Sequence, residues 1–124
     1  MAAYRLEHVG IVIPSAQREA TMRFYESVFG WRLLREMPGV AFVGDGSGGR
    51  IEFLFRDDPP MAAPNHLAFL VALDEFDSLM EKIKATGAPS EPPVDTPAGD
   101  RLFWFHDPAG TRAQIVGRAN PMPE

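Results

Sequence analysis

His8-Val9-Gly10-Ile11-Val12-Ile13-Pro14 returns 58 residues later as His66-Leu67-Ala68-Phe69-Leu70-Val71-Ala72. Each stretch opens on a histidine, continues through large or β-branched apolar residues, and runs into a helix start. Each therefore reads as a β-strand. The first helix is predicted from Ser15, as N-cap, to Gly30, a left-handed terminator. Ala20, Phe24, Tyr25, Val28 and Phe29 are its predicted buried face. The second is predicted from Asp74 to Gly87, with Phe76, Leu79, Met80 and Ile83 at i, i+3, i+4 and i+7.

Further strands are expected at Trp31–Arg35, Val40–Gly44 and Arg50–Phe55. Their counterparts are Pro89–Asp95, Arg101–His106 and Arg112–Gly117. Each half thus reads β-α-β-β-β. The expected fold class is α+β, one domain of two paired βαβββ modules at about residues 4–56 and 66–118. One module is too small to bury both faces of its sheet. The pair is expected to form a curved mixed sheet with the helices on its outer face. The proline-rich stretch 57–65 is the expected linker.

Strand alternation assigns faces. Val9, Ile11 and Ile13 share the helix-covered face with their counterparts Leu67, Phe69 and Val71, and with Ile51, Phe53, Phe55, Ala113 and Ile115. His8, Glu52, His66 and Gln114 point the other way, among apolar neighbours. An unpaired polar group there is costly, so a shared role is expected. Two imidazoles, a carboxylate and an amide oxygen suit a divalent cation such as Zn, Ni, Co, Mn or Fe. Four protein ligands would leave one or two positions for water or substrate, as in a catalytic centre.

Composition closes off other classes. The chain has 124 residues and 45% apolar content, enough for a core without staples. Without cysteine it has no disulfide framework, thiolate zinc site or cysteine nucleophile. A net charge of −5 argues against nucleic acid. The longest strictly apolar run, Leu67 to Leu73, is far short of the roughly 18 residues of a membrane span. The N-terminus does not read as a signal peptide, and a cytoplasmic location is expected.

Beyond the two histidine strands, Phe24-Tyr25-Glu26-Ser27-Val28-Phe29-Gly30-Trp31, Arg50-Ile51-Glu52-Phe53-Leu54 and Phe105-His106-Asp107-Pro108-Ala109-Gly110 leading to Gln114 complete a pattern. It resembles the vicinal-oxygen-chelate superfamily, which includes glyoxalase I, methylmalonyl-CoA epimerase, extradiol dioxygenases and bleomycin resistance proteins. The resemblance covers nearly the whole chain. It implies paired βαβββ modules, a homodimer, a small-molecule substrate, and metal ligands at His8, Glu52, His66 and Gln114. Many metal-dependent members carry Glu at the last position, so Gln114 disfavours the dioxygenase and fosfomycin-type triads. Glyoxalase I and the epimerase accept Gln, and the present set resembles the epimerase set with its modules exchanged.

Both of those enzymes move a proton next to a carbonyl. An amide does not titrate usefully, which leaves Glu52 as the candidate catalytic base. The leading expectation is a glyoxalase-like metal-dependent lyase or isomerase. The alternative is a metal-free, drug-sequestering binding protein of the bleomycin-resistance type, with a ring-cleaving dioxygenase third.

Remaining features have plainer readings. Gly44-Asp45-Gly46-Ser47-Gly48-Gly49 matches GxGxxG, but a strand follows it, so it reads as a hairpin and not a dinucleotide loop. His106 reads as a turn residue. Phe24, Tyr25, Phe29 and Trp31 read as core, while one or two of Phe42, Phe103 and Trp104 are expected to line the pocket. Arg101 and Arg112 read as solvated charge before contacts to an anionic substrate. Pro121–Glu124 reads as a frayed tail.

Overall fold

A computed structural model describes residues 4–57 and 65–124. The expected linker 57–65 lies outside the described residues except for its two ends. Eight strands and two α-helices are present among the described residues. They are β1 (Arg5–Ile13), α1 (Arg18–Phe29), β2 (Arg32–Met37), β3 (Val40–Gly44) and β4 (Arg50–Phe55), then β5 (His66–Leu70), α2 (Phe76–Ala85), β6 (Val94–Asp95), β7 (Arg101–His106) and β8 (Arg112–Gly117). The fold class is α+β, each half running β-α-β-β-β. No helix among the described residues is long and apolar enough to cross a membrane.

The chain divides into two compact units. The N-terminal unit takes the described residues of His8–Asn65 together with Met122–Glu124. The C-terminal unit takes His66–Pro121 and the described residues 4–7.

In the N-terminal unit the strand order is β2-β3-β4-β1. β1 runs parallel to β4, and the other pairings are antiparallel. Ala41, Val43, Phe53 and Phe55 form its buried core, with Ile11, Ile13, Ile51, Met22, Tyr25 and Trp31 packed around them. This is the face that alternation assigned to the helix.

The helix itself differs from expectation. Ser15 does not cap α1 but opens a 3-10 turn, Ser15–Gln17, and α1 begins only at Arg18. Extended Pro14 feeds a tight turn before the helix proper, so the start moves along by three residues. The Ser15 backbone N–H donates to Asp57 Oδ1 at 2.9 Å. The hydroxyl bond from Ser15, and then this backbone bond, hold the Asp57 carboxyl below its ordinary value. The buried stripe of α1 is also rotated. Arg18, Thr21, Met22 and Tyr25 are half-buried, whereas Phe24, Val28 and Phe29 are 51%, 56% and 60% exposed. Phe24 sits one residue before Tyr25, about 100° around the axis, whereas Val28 and Phe29, three and four residues after Tyr25, are exposed in the last turn of the helix. The helix ends as expected on Gly30, at φ 72°, a backbone conformation glycine adopts without strain.

The tail is not frayed. Met122 is 6% exposed. Its carbonyl and that of Pro123 accept from buried Arg50 at 3.0 and 2.9 Å, and the Glu124 carbonyl accepts from Gly46 N–H at 3.1 Å. The β3–β4 connection is a hairpin in which Asp45 Oδ1 accepts from Ser47 and Gly49 N–H groups. The next residue opens β4, as a hairpin requires.

In the C-terminal unit the order is β5-β8-β7-β6, with β5 parallel to β8 and the other pairs antiparallel. The topology of the first unit is thereby repeated. Val71, Phe76, Met80, Phe103 and Ile115 form the core, ringed by Phe69, Leu79, Ile83 and Phe105. α2 contributes the predicted stripe. Like α1 it starts late, after a 3-10 turn at Leu73–Glu75, so Asp74 does not cap it.

At the end of β8, Arg118 binds Glu7 through two parallel bonds of 3.0 and 2.7 Å and Asp100 at 3.0 Å. Glu7 is 1% exposed. Burial of Arg118 opposes its charged form, but the Glu7 and Asp100 carboxylates outweigh this and raise its pKa.

Candidate functional site

In each unit the histidine and its carboxylate or amide partner are placed by the parallel strand pair. Gly10 pairs with Glu52 across β1–β4, and Ala68 pairs with Gln114 across β5–β8. His8 lies two residues before Gly10, and His66 two before Ala68. An interval of two keeps side chains on one face, so each imidazole shares a face with Glu52 or Gln114. The cross-strand neighbours of Glu52 and Gln114 are the small residues Gly10 and Ala68, both buried. The third strand repeats the plan: Phe42 pairs with Glu52 and Trp104 with Gln114.

The aromatic residues orient the histidines. The His8 ring stands edge-on to Phe42 at 5.1 Å between centroids, and the His66 ring edge-on to Trp104 at 4.9 Å. Phe103, on the other face, belongs to the helix-side core. Of the three aromatics considered for the pocket, Phe42 and Trp104 therefore adjoin the histidines.

His8, His66 and Gln114 are buried, at 2%, 3% and 4% exposure. In the N-terminal unit His8 Nε2 lies 3.5 Å from Glu52 Oε1, and the Glu52 side chain is 14% exposed. That separation is long for a hydrogen bond. It is close to the about 3.4 Å expected between two ligand atoms each about 2.1 Å from one tetrahedral cation. An imidazole and a carboxylate meeting this way fit a divalent metal in both distance and donor type. Among the other singled-out residues, His106 ends β7, exposed, before a turn closed on Asp107 Oδ1 by the N–H groups of Ala109 and Thr111.

The sequence profile of the glyoxalase/bleomycin resistance protein/dioxygenase superfamily matches residues 5–115. The chain belongs to this superfamily. Solved structures agree on the fold. A hypothetical protein from Bacillus halodurans C-125 has a TM-score of 0.73 at 22% identity, covering 96% of this chain and 97% of that one. Methylmalonyl-CoA epimerase from Mycobacterium tuberculosis has a TM-score of 0.73 at 20% identity, covering 93% and 88%. A variant of the Streptomyces coelicolor epimerase, in complex with 2-nitronate-propionyl-CoA, gives 0.69 at 20% identity, covering 99% and 100%. The superfamily resemblance of the histidine strands and their partner strands is thereby established at the level of family and fold.

Arg50, Arg118 and Glu7 carry buried contacts that local reading missed. Apart from Asp100, 18 residues from Arg118, their partners lie 72 to 111 residues away in the chain. The only local sign was a charge in or next to a strand.

Proposed function

We propose that the protein is a metal-dependent isomerase or lyase of the superfamily, catalysing proton transfer next to a carbonyl of a small molecule. His8, Glu52, His66 and Gln114 are its metal ligands. The observation that carries this reading is the buried His8–Glu52 pair at 3.5 Å, whose spacing suits two ligands of one cation. His66 and Gln114 support it, because the same strand geometry presents them in the C-terminal unit. When bound, the cation supplies positive charge that polarises a carbonyl oxygen and lowers the acidity barrier at the adjacent carbon.

Glu52 is the base. Its side chain stands beside His8 and retains 14% exposure, and its carboxylate takes the proton from carbon and returns it. Gln114 holds its oxygen toward the site without competing for that proton. Phe42 and Trp104 fix the two imidazoles edge-on and keep water from their flanks. The epimerase neighbours support an enolisable carbonyl as substrate class.

A homodimer belongs to the same proposal. Phe24, Val28 and Phe29 form exposed apolar surface on α1, suited to a second copy.

Metal content of the purified protein tests the reading. Wild type is expected to hold about one divalent ion per chain, and a Glu52→Ala, His66→Ala variant to lose it. A melting temperature that falls on chelation would agree. Metal content unchanged in that variant overturns the ligand set. A metal-free, chelator-insensitive wild type replaces the enzyme with a small-molecule binding protein.

A further inference from the structure

The repeated unit places an arginine two residues before each member of the Glu52/Gln114 pair, on the same strand face: Arg50 in β4 and Arg112 in β8. The two are used differently. Arg50 is buried, and its guanidinium donates to the carbonyls of Met122 and Pro123. Arg112 lies flat on Trp104, its guanidinium carbon 3.8 Å from the ring centroid. Trp104 in turn stands against His66. Trp104 thus lies between the Arg112 cation on its ring face and the buried imidazole of His66, which it meets edge to face.

Stacking on an indole occupies one face of a guanidinium and leaves its edge, the fork of N–H donors, directed outward. The acid nearest that fork is Glu91, 63% exposed and 3.8 Å away, too far for a hydrogen bond. Glu91 is held beside Trp104 by its backbone N–H, which donates to the Trp104 carbonyl at 3.1 Å. Other arginines are engaged in structure. Arg118 is taken by Glu7 and Asp100, Arg101 by Asp77 and Asp95, and Arg18 by Glu36. The Arg112 side chain is only 18% exposed, so it is not the solvated charge that sequence suggested. It is a cation held over an aromatic plane, on the strand face that carries Gln114.

We propose that Arg112 is the specificity residue of the site and that the substrate carries an oxyanion, a carboxylate or a phosphate, bound by the Arg112 fork above Trp104. Glu91 is the internal competitor that this oxyanion displaces. The assignment rests on reading the His66–Gln114 face as the substrate site, but the binding step needs no metal.

The test is titration of chelator-treated protein with malonate, with inorganic phosphate and with neutral malonamide, followed by calorimetry and by the Arg112 Nε–H signal in NMR. At least one anion should bind saturably and move that signal, while malonamide should not. Tighter binding of malonate assigns a carboxylate, and tighter binding of phosphate a phosphate ester. Arg112→Gln should weaken the anion at least about tenfold, as loss of a charge-assisted bidentate contact requires. Arg112→Lys, which keeps the charge and loses the fork, should weaken it roughly threefold. Glu91→Gln should tighten it by about twofold or more. Absence of saturable binding by either anion, or affinity in Arg112→Gln within about twofold of wild type, overturns the proposal. Because the titrated protein has been stripped by chelator, these outcomes stand apart from metal content, which tests the ligand set alone.

Discussion

Replacing Arg118 by Met removes the guanidinium that occupies both carboxylate oxygens of Glu7, at 3.0 and 2.7 Å. Glu7 is 1% exposed, so water cannot take over as the counter-charge. Breaking a buried pair in this way costs about 3–5 kcal/mol. For a chain of this length, roughly 3–5 °C of melting temperature accompany each kcal/mol, so a fall of roughly 10–20 °C is expected. Asp100 loses one partner but keeps the Ala119 N–H, and its own share is smaller. Glu7→Leu combined with Arg118→Met removes both buried charges and should recover most of the loss, to within about 1–2 kcal/mol of wild type. Urea denaturation of wild type, both single variants and the double variant closes the cycle. A cost below about 1 kcal/mol for Arg118→Met, or a double variant as damaged as the single, would refute the account of Glu7 as a buried charge dependent on Arg118.

Asp57 gives a pH prediction. Its folded pKa is lowered by the bonds from Ser15. Its contribution to stability is therefore complete above the ordinary carboxylate pKa and is lost as pH falls through the lowered folded value. The urea midpoint of Asp57→Asn should show a shallower acid slope than wild type; identical slopes would remove Asp57 from the account. The proposed homodimer predicts that Phe24→Glu with Phe29→Glu shifts sedimentation from dimer to monomer while the melting curve keeps its cooperativity. A dimer that persists in this variant places the interface elsewhere.

The parts of the fold legible in sequence were those with a local period. Alternation in β1, β4, β5 and β8 separated the helix-side core from the face of His8, Glu52, His66 and Gln114, because polar and apolar residues alternate there. In β3 and β7 the same device was blank. Ala41, Phe42 and Val43, like Phe103, Trp104 and Phe105, are apolar in succession, so only register with Glu52 and Gln114 shows which aromatic meets a histidine. α1 misled because it carries more apolar residues than it buries, and Phe24 outweighed the less apolar Thr21 on the true stripe. The tail of prolines and a glutamate read as loose because its anchor, Arg50, is remote in sequence. The arginines at positions 50 and 112 are alike locally and differ only in what reaches them.

The grouping of Glu7 with the C-terminal unit and of Met122–Glu124 with the N-terminal one bears on how the chain is made. Synthesis runs from Met1 onward, so Glu7 emerges 111 residues before the guanidinium that neutralises it. Arg50 likewise waits for carbonyls 72 and 73 residues further on. Neither unit has all of these contacts until residues 118–123 have emerged. Burying Glu7 of β1 or Arg50 of β4 before these contacts form is costly, which favours late completion of both units. Folding of each unit is in this sense timed by residues 118–123, and stalling synthesis before Arg118 emerges should leave both units sensitive to protease.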